Sequence, residues 1–362
     1  MSNVFGWTTN RKIIVFESDD WGSVRTRSSD DYQLMLKKGL NVSNSNFTKF
    51  DTLESEYDLN RLFDLLSSFK DFKGNHPVFT PMCIVANPDF DKIESHDFTE
   101  YFYEPFTETA IKYDGSKNIC NLWLKGRDAN LFNPQFHGRE HLNVKRWMKL
   151  LRENHLGIKT AFHSKSFGAS KFNNISIPSY LPAFDIDTFS DNKELENIVI
   201  TGTKLFESLL NYKPKYFIAS NSAEPKALEN ILMQSGIELL TRYKIQKYPL
   251  GDNKWEYEFN WLGRINKLGQ TIITRNSGFE PSDPSIKNCL DSCMKEIENA
   301  FFWKKPAIIS THRVNYIAGL SQENADSGLN NLSSLLNQIL AKWPNIEFMS
   351  SVELGEQIRN SK

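Results

Sequence analysis

The chain has 362 residues, of which 40 % are hydrophobic and 24 % charged, and its net charge is −1. This balance suits a globular protein with a large core and excludes a global positive field for nucleic acid or anionic membrane. No apolar run reaches the roughly 18 residues of a membrane span. The opening MSNVFGWTTNRK lacks the apolar stretch of a secretion signal. The four cysteines, Cys83, Cys120, Cys289 and Cys293, are too few for a disulfide framework, so a reducing cytoplasm is the expected compartment. Cys289 and Cys293 lie on a predicted helix with no second ligand pair nearby, and buried thiols are expected there. The 26 Phe, 12 Tyr and 8 Trp fit an aromatic core, with some rings left for carbohydrate-facing surfaces.

Residues 12–16 (KIIVF) form a β-branched apolar run that predicts a buried strand, followed by a polar loop, ESDDWGS. Residues 57–69 carry Leu59, Leu62, Phe63, Leu66 and Phe69 at helical spacing. Residues 78–85 read as the second strand. Residues 86–135 have no clean period and read as an insertion decorating the core. Val144, Trp147, Met148 and Leu151 mark a helix, and 157–162 (GIKTAF) reads as a strand. Further on, helices are expected at 201–210, 225–235, 285–301, 328–342 and 351–358. Strands are expected at 215–219, 271–274, 306–310 and 346–349. Gly236 should end the helix before it, and Ser351 should cap the last one. Strands alternate with helices throughout, which predicts a parallel α/β architecture. About seven such repeats suit a barrel, with reactive groups at the C-terminal ends of the strands.

Three groups of residues carry chemistry. Asp19 and Asp20 follow the first strand directly; adjacent carboxylates there can divide into a metal ligand and a base, or serve as a turn or helix cap. His137 and His141 are four apart, so both imidazoles reach one ion if the segment is helical. The Glu of this segment is Glu140, so the H-E-x-x-H pattern of zinc proteases is not met. His312 ends the run AIISTH and faces the same rim in a barrel; His163 ends 157–162 in the same way. Arg275 and Glu280 follow a predicted strand and are candidates for that rim. Trp21, Trp123 and Trp261 are candidates for stacking on sugar rings, with core packing as the alternative.

Taken together, these segments resemble the polysaccharide deacetylases, the family 4 carbohydrate esterases with the NodB-homology domain. The family motif T-F-D-D-G is matched by E-S-D-D-W-G, and H-[ST]-x-x-H by His137 through His141. A late strand ending in His is matched by ISTHRVNY. Residues 202–236 and the closing NIEFMSSVELGEQI resemble the family's later helices and strands. The resemblance implies a distorted (β/α)7 barrel over residues 1–362 as one domain, with insertions at about 40–75 and after the second strand at about 86–135. It implies Asp19 as general base, His312 as general acid, and Asp20, His137 and His141 as ligands of a divalent ion, with zinc expected from three mixed N/O ligands and an open position. One motif differs. Where the family has R-P-P-Y, this chain has Ile218-Ala219-Ser220-Asn221, so the arginine that steadies the base is absent there. Arg139, Arg275 or Arg313 can replace its charge, and Asn221 can donate to an oxyanion. The expected function is removal of an N- or O-acyl group from a saccharide or sugar-linked precursor in cell-surface polysaccharide metabolism. The alternatives are a glycoside hydrolase using Asp19 and Glu280, and a non-catalytic saccharide-binding protein.

Overall fold

Besides two small two-stranded sheets (Ala86–Pro88 with Tyr103–Pro105, and Lys171–Phe172 with Ile175–Ser176), the strands in chain order are β1 (Lys12–Trp21), β2 (Phe79–Ile84), β3 (Gln135–Gly138), β4 (Tyr216–Phe217), β5 (Leu239–Thr241), β6 (Ile245–Gly251), β7 (Lys254–Phe259), β8 (Thr271–Ile273), β9 (Ser277–Gly278), β10 (Ala307–His312) and β11 (Ile346–Phe348). The structure is a computed structural model and describes residues 3–361. Nine of these strands form one sheet in the order β8-β5-β4-β3-β2-β1-β10-β9, with β11 on the first residues of β1. Every pairing in this sheet is parallel. β6 and β7 form a separate antiparallel hairpin.

The two edge strands, β8 and β9, are consecutive in the chain with only residues 274–276 between them. One broken segment therefore serves both edges: it pairs with β5 through Thr271–Ile273 and with β10 through Ser277 and Gly278. This closes the curled sheet into the expected distorted barrel. With β8 and β9 taken as one interrupted stave, the barrel has seven.

Side-chain alternation along β1 organises the interior. Ile13 and Val15 point into a core shared with Met82, Tyr216, Leu239, Ile273 and Ile308. Ile14 and Phe16 point the other way, into a cluster with Leu59, Leu62 and Leu66 of helix α1 (Glu56–Ser67). The two inward positions that follow Ile13 and Val15 are Glu17 and Asp19. The column is thus apolar at its base and acidic at its C-terminal end.

Other helices are α2 (Val144–Arg152), α3 (Leu156–His163), α4 (Asn192–Leu210), α5 (Leu228–Gln234), α6 (Cys289–Phe302), α7 (Gln322–Lys342) and α8 (Ser351–Asn360). α3 corrects the strand expected at 157–162. Ile158, Ala161 and Phe162 are its buried residues, a helical spacing that the short apolar run concealed. His163 therefore ends a helix rather than a strand, and its ring lies 3.4 Å from Glu94. β1 runs five residues further than expected, because the polar ESDDW segment is paired on both flanks. The cap of α8 is Ser350, in a capping box with Glu353, rather than Ser351. Gly236 follows the end of α5 with φ +96°, as its position predicted. β5 was not expected, and neither was the hairpin. The segment 86–135 contains helices Phe90–Ser95, Phe106–Asp114 and Ile119–Asp128. Its Trp123 is fully buried and stacks on Phe106 at 4.5 Å, so it is a core residue.

Gly328 of α7 packs directly on the turn at Arg313–Asn315, where an added Cβ would fall 1.6 Å from the Asn315 carbonyl oxygen. Backbone cannot retreat as a side-chain tip can. Gly328→Ala should cost about 2–3 kcal/mol of unfolding free energy, measured by urea denaturation. A change within about 0.5 kcal/mol would show that helix and turn are not locked together.

Candidate metal and catalytic site

A cavity of about 870 Å³ opens at the C-terminal ends of the barrel strands. Asp19, Asp20, His137, His141, Asn221, Arg275 and His312 all line it. In a regular strand Asp19 and Asp20 would face opposite ways. Here the β1–β2 register shifts between Ser18 and Trp21, and Asp20 takes a φ of +75°. This bulge turns both carboxylates toward the same space.

His137 is a strand residue of β3, not a helical one, and His141 lies in the loop before α2. Their convergence comes from Gly138, whose φ of +147° breaks the strand so that the chain can fold back. The two rings end 5.4 Å apart. Nε2 of His137 lies 3.4 Å from Asp20 Oδ1, and Nε2 of His141 lies 3.1 Å from the same oxygen. One donor atom from each of Asp20, His137 and His141 lies within 4.8 Å of the other two, and all three residues are buried.

This donor set fits a divalent ion. Nδ1 of His137 is 2.8 Å from the Ile218 carbonyl oxygen. A carbonyl can only accept, so Nδ1 carries a proton, and Nε2 is the ring nitrogen that faces Asp20 and can bind an ion. Burial pushes the His141 pKa below its ordinary value, outweighing the pull of Asp20. Burial would raise Asp20, but the His141 charge, hydrogen bonds from both imidazoles and the Arg25 charge hold it well below the carboxylate range. Asp20, His137 and His141 thus form a group that can hold a metal ion.

Asp19 is held by a different partner. Arg275 sits in the break between β8 and β9 and reaches inward. Its Nη2 donates to Asp19 Oδ1 at 2.6 Å, its Nη1 to Asp19 Oδ2 at 2.7 Å, and its Nε to Glu17 Oε2 at 2.6 Å. Burial would raise the Asp19 pKa, but the Arg275 charge and hydrogen bonds bring it below the ordinary value. Glu17 is fully buried and also accepts from the Tyr216 and Ser351 hydroxyls, each at 2.7 Å.

His312 faces Asp19, with Nε2 3.9 Å from Oδ2. Its Nδ1 is 2.6 Å from Glu280 Oε1, and Glu280 Oε2 accepts from Asn315 at 2.8 Å. Burial alone would lower the His312 pKa; the Glu280 charge and hydrogen bond, with Asp19 and Asp20, raise it to about 9. Phe47 covers the ring edge-on at 5.0 Å.

Three candidates lie elsewhere. Trp21 is 1 % exposed, packs on Phe132 and bonds Ser18, so it belongs to the core behind the site. Arg139 turns away from the cavity, paired to Glu140 and bonded to Thr201. Arg313 also serves another purpose, bridging Asp51 and Glu54 in full burial. Of the three arginines considered as substitutes, Arg275 is the one on Asp19. Sequence reading missed Arg25, which donates to Asp20 Oδ2 at 3.2 Å and lies 3.8 Å from Asp51. Asp51 lies in the segment taken for an insertion, and nothing in the local pattern ties it to Asp20.

Arg275→Met would leave two buried carboxylates without their counter-charge. Unfolding free energy should fall by about 3–5 kcal/mol, read from urea titration, while Arg275→Lys should recover part of it. The fold favours charged His312 at pH below its ordinary 6.5, and this contribution fades as pH rises through about 9. NMR titration of the metal-free protein should give a His312 midpoint near 9, and Glu280→Gln should bring it down toward 6.5. A midpoint unchanged by that substitution would remove Glu280 as the cause.

The sequence matches no protein-family model and no curated protein. Among solved structures, an allantoinase (Puue) aligns at TM-score 0.50 and 9 % identity, over 100 % of this chain and 94 % of that one. A structure described as a glycoside hydrolase/deacetylase from Parabacteroides distasonis aligns at TM-score 0.50 and 8 % identity, over 98 % and 73 %. At these identities the likeness shows the fold: this chain has the curled barrel found in these two structures.

Proposed function

We propose that this protein is a metal-dependent hydrolase that removes an acyl group from a carbohydrate. The observation that carries this reading is one cavity in which an Asp-His-His group is flanked by a clamped carboxylate and a charged histidine. Asp20, His137 and His141 would hold the ion, with zinc favoured by the mixed nitrogen and oxygen donors. A zinc ion there would supply Lewis-acid polarisation and lower the pKa of water toward about 7.

The protein's own groups account for the proton transfers. Asp19, aimed by Arg275, accepts the proton of the attacking water. Arg275 leaves Asp19 anionic yet fixed, so the carboxylate does not drift onto the ion. His312 enters protonated, held by Glu280, and gives its Nε2 proton to the departing nitrogen or oxygen. Asn221, on the cavity wall, is a candidate donor to the developing oxyanion. The glycoside-hydrolase alternative needs a second free carboxylate, whereas both oxygens of Glu280 are engaged by His312 and Asn315. Retention of a clamped base also weighs against a decayed, purely binding protein. The names of the similar structures, an allantoinase and a glycoside hydrolase/deacetylase, include acyl and amide hydrolysis. The substrate we favour is an acetylated saccharide or a sugar-linked precursor of a surface polysaccharide. No helix among the described residues is long and apolar enough to cross a membrane, and a cytoplasmic site of action is part of this proposal.

Elemental analysis of the purified protein should find about one zinc per chain, and Asp20→Ala should lose it. With zinc or cobalt, the enzyme should release acetate from acetylated sugars, and Asp19→Asn should lower kcat by about a hundredfold or more while metal is retained. Metal binding without acetate release across a broad substrate panel would refute deacetylation. Full activity of Asp19→Asn would refute Asp19 as the base.

A further inference from the structure

The β6–β7 hairpin is built inside out. An antiparallel pair over a protein body normally turns apolar side chains inward and polar ones to water. Here the inward residues Gln246, Tyr248 and Glu258 are tied down by polar contacts, while Glu256 on the same face stays exposed. Gln246 donates to the Ser222 carbonyl oxygen, and Glu258 accepts from Lys226 and Arg264, each at 2.8 Å. The outward residues are Ile245, Lys247, Trp255, Tyr257 and Phe259, with the cross-strand pairs Ile245–Phe259 and Lys247–Tyr257; Pro249, opposite Trp255, is buried. Ile245 is 66 %, Tyr257 61 %, Phe259 49 % and Trp255 39 % exposed.

These rings form a continuous surface. Phe259 meets Trp261 at 6.0 Å and Phe5 at 5.9 Å, and both neighbours are exposed. Lys247 lies over the Trp255 ring at 3.6 Å and fixes its orientation. The surface also begins at the catalytic cavity: Tyr243, Lys244 and Ile245, leading into and starting β6, line its wall. A patch of water-exposed rings at alternate strand positions marks a binding surface rather than a core.

We propose that the outer face of this hairpin is a platform for an extended acetylated polysaccharide, holding sugar rings beyond the one whose acyl group occupies the cavity. Three observations favour a sugar chain over other occupants. Sugar rings present C–H faces that stack on aromatic rings and hydroxyl edges that remain in water, which suits rings half exposed rather than packed. The face is one strand-pair wide and runs outward from the cavity, the shape of a track for a chain. Its Tyr and Trp carry polar tips, and Lys247 adds a donor, unlike a wholly aliphatic protein-docking patch. The proposal rests on the carbohydrate reading above and narrows it from sugars in general to polymers.

The test compares the full-length protein with the double variant Trp255→Ala/Tyr257→Ala. Affinity electrophoresis uses gels containing acetylated xylan or partly acetylated chitosan, and tryptophan fluorescence follows titration with hexa-N-acetylchitohexaose. At least one of these should bind the wild type, and the double variant should bind it about tenfold more weakly or worse. Trp255→Phe should restore most of the binding. Release of acetate from acetylated monosaccharides should be unchanged, because neither side chain lines the cavity. Equal binding by wild type and double variant, or no binding to any of the three, overturns the platform. So does a wild-type dimer on size exclusion that the double variant dissolves, since the face would then join two copies of the chain. Loss of polymer binding in the variant with no acetate released by either protein would leave the platform standing and reject the hydrolase reading instead.

Discussion

A single guanidinium stands between the two halves of this structure. Arg275 satisfies Glu17, deep in the barrel, and Asp19, on the cavity floor, from the three-residue gap where the closing stave is broken. Two carboxylates in one inward column of β1 repel each other, and burial away from water sharpens that repulsion. With Arg275 between them the column becomes a fixed element. The gap in the closing stave is what gives the arginine its route inward. Barrel closure and the aim of the base are therefore one arrangement.

The rest of the site follows the same division of labour. Asp19, Asp20, His137 and His312 each have a partner that fixes its protonation or its direction. Ile218 does this for His137, Glu280 for His312, and Arg25 with the two imidazoles for Asp20. Beneath them, Arg313 ties Asp51 and Glu54, and Glu54 accepts from the Gly22 backbone just past the β1 bulge. Buried charges are costly alone and tolerable in such chains of pairs. The strain at Asp20 is thus backed by a network that holds both sides of its loop.

How much of this could be read beforehand depended on sequence distance. Asp19 and Asp20 stand out because they interrupt a hydrophobic run at its end. His137 and His141 stand out because they are close together, although the helical geometry expected for them is wrong and a glycine-broken strand achieves the same meeting. The alternation of strands and helices gave the barrel. The partners were less legible. Arg275 could be named only as one of three arginines, since its pairing with Asp19 joins residues far apart in the chain. Asp51 sits in a segment with no period, and Arg25 follows Asp20 with nothing to distinguish it from a surface arginine. The stretch 157–162 misled because a short apolar run fits strand and helix equally. The hairpin was passed over because its apolar residues face out, so its alternation does not lead to a core.

The central place of β1 has a consequence for how the chain comes into being. Its apolar run lies near the start of the sequence, yet Ile14 pairs with Ala307 on one flank and with Phe348 on the other. During synthesis this strand emerges long before either partner. β2 covers residues 16–21 of one flank early, but the flank toward β10 and the start of the other stay unpaired for most of translation, which favours slow, late closure. Asp20 and His137 are joined earlier, through β2 between their strands, whereas Arg275 reaches Asp19 only after β8 has been made. A chain that stops short of Arg275 would keep the three residues that can hold an ion and lose the clamp on Asp19, so the grip on Asp19, not the ion group, reports the later half of folding.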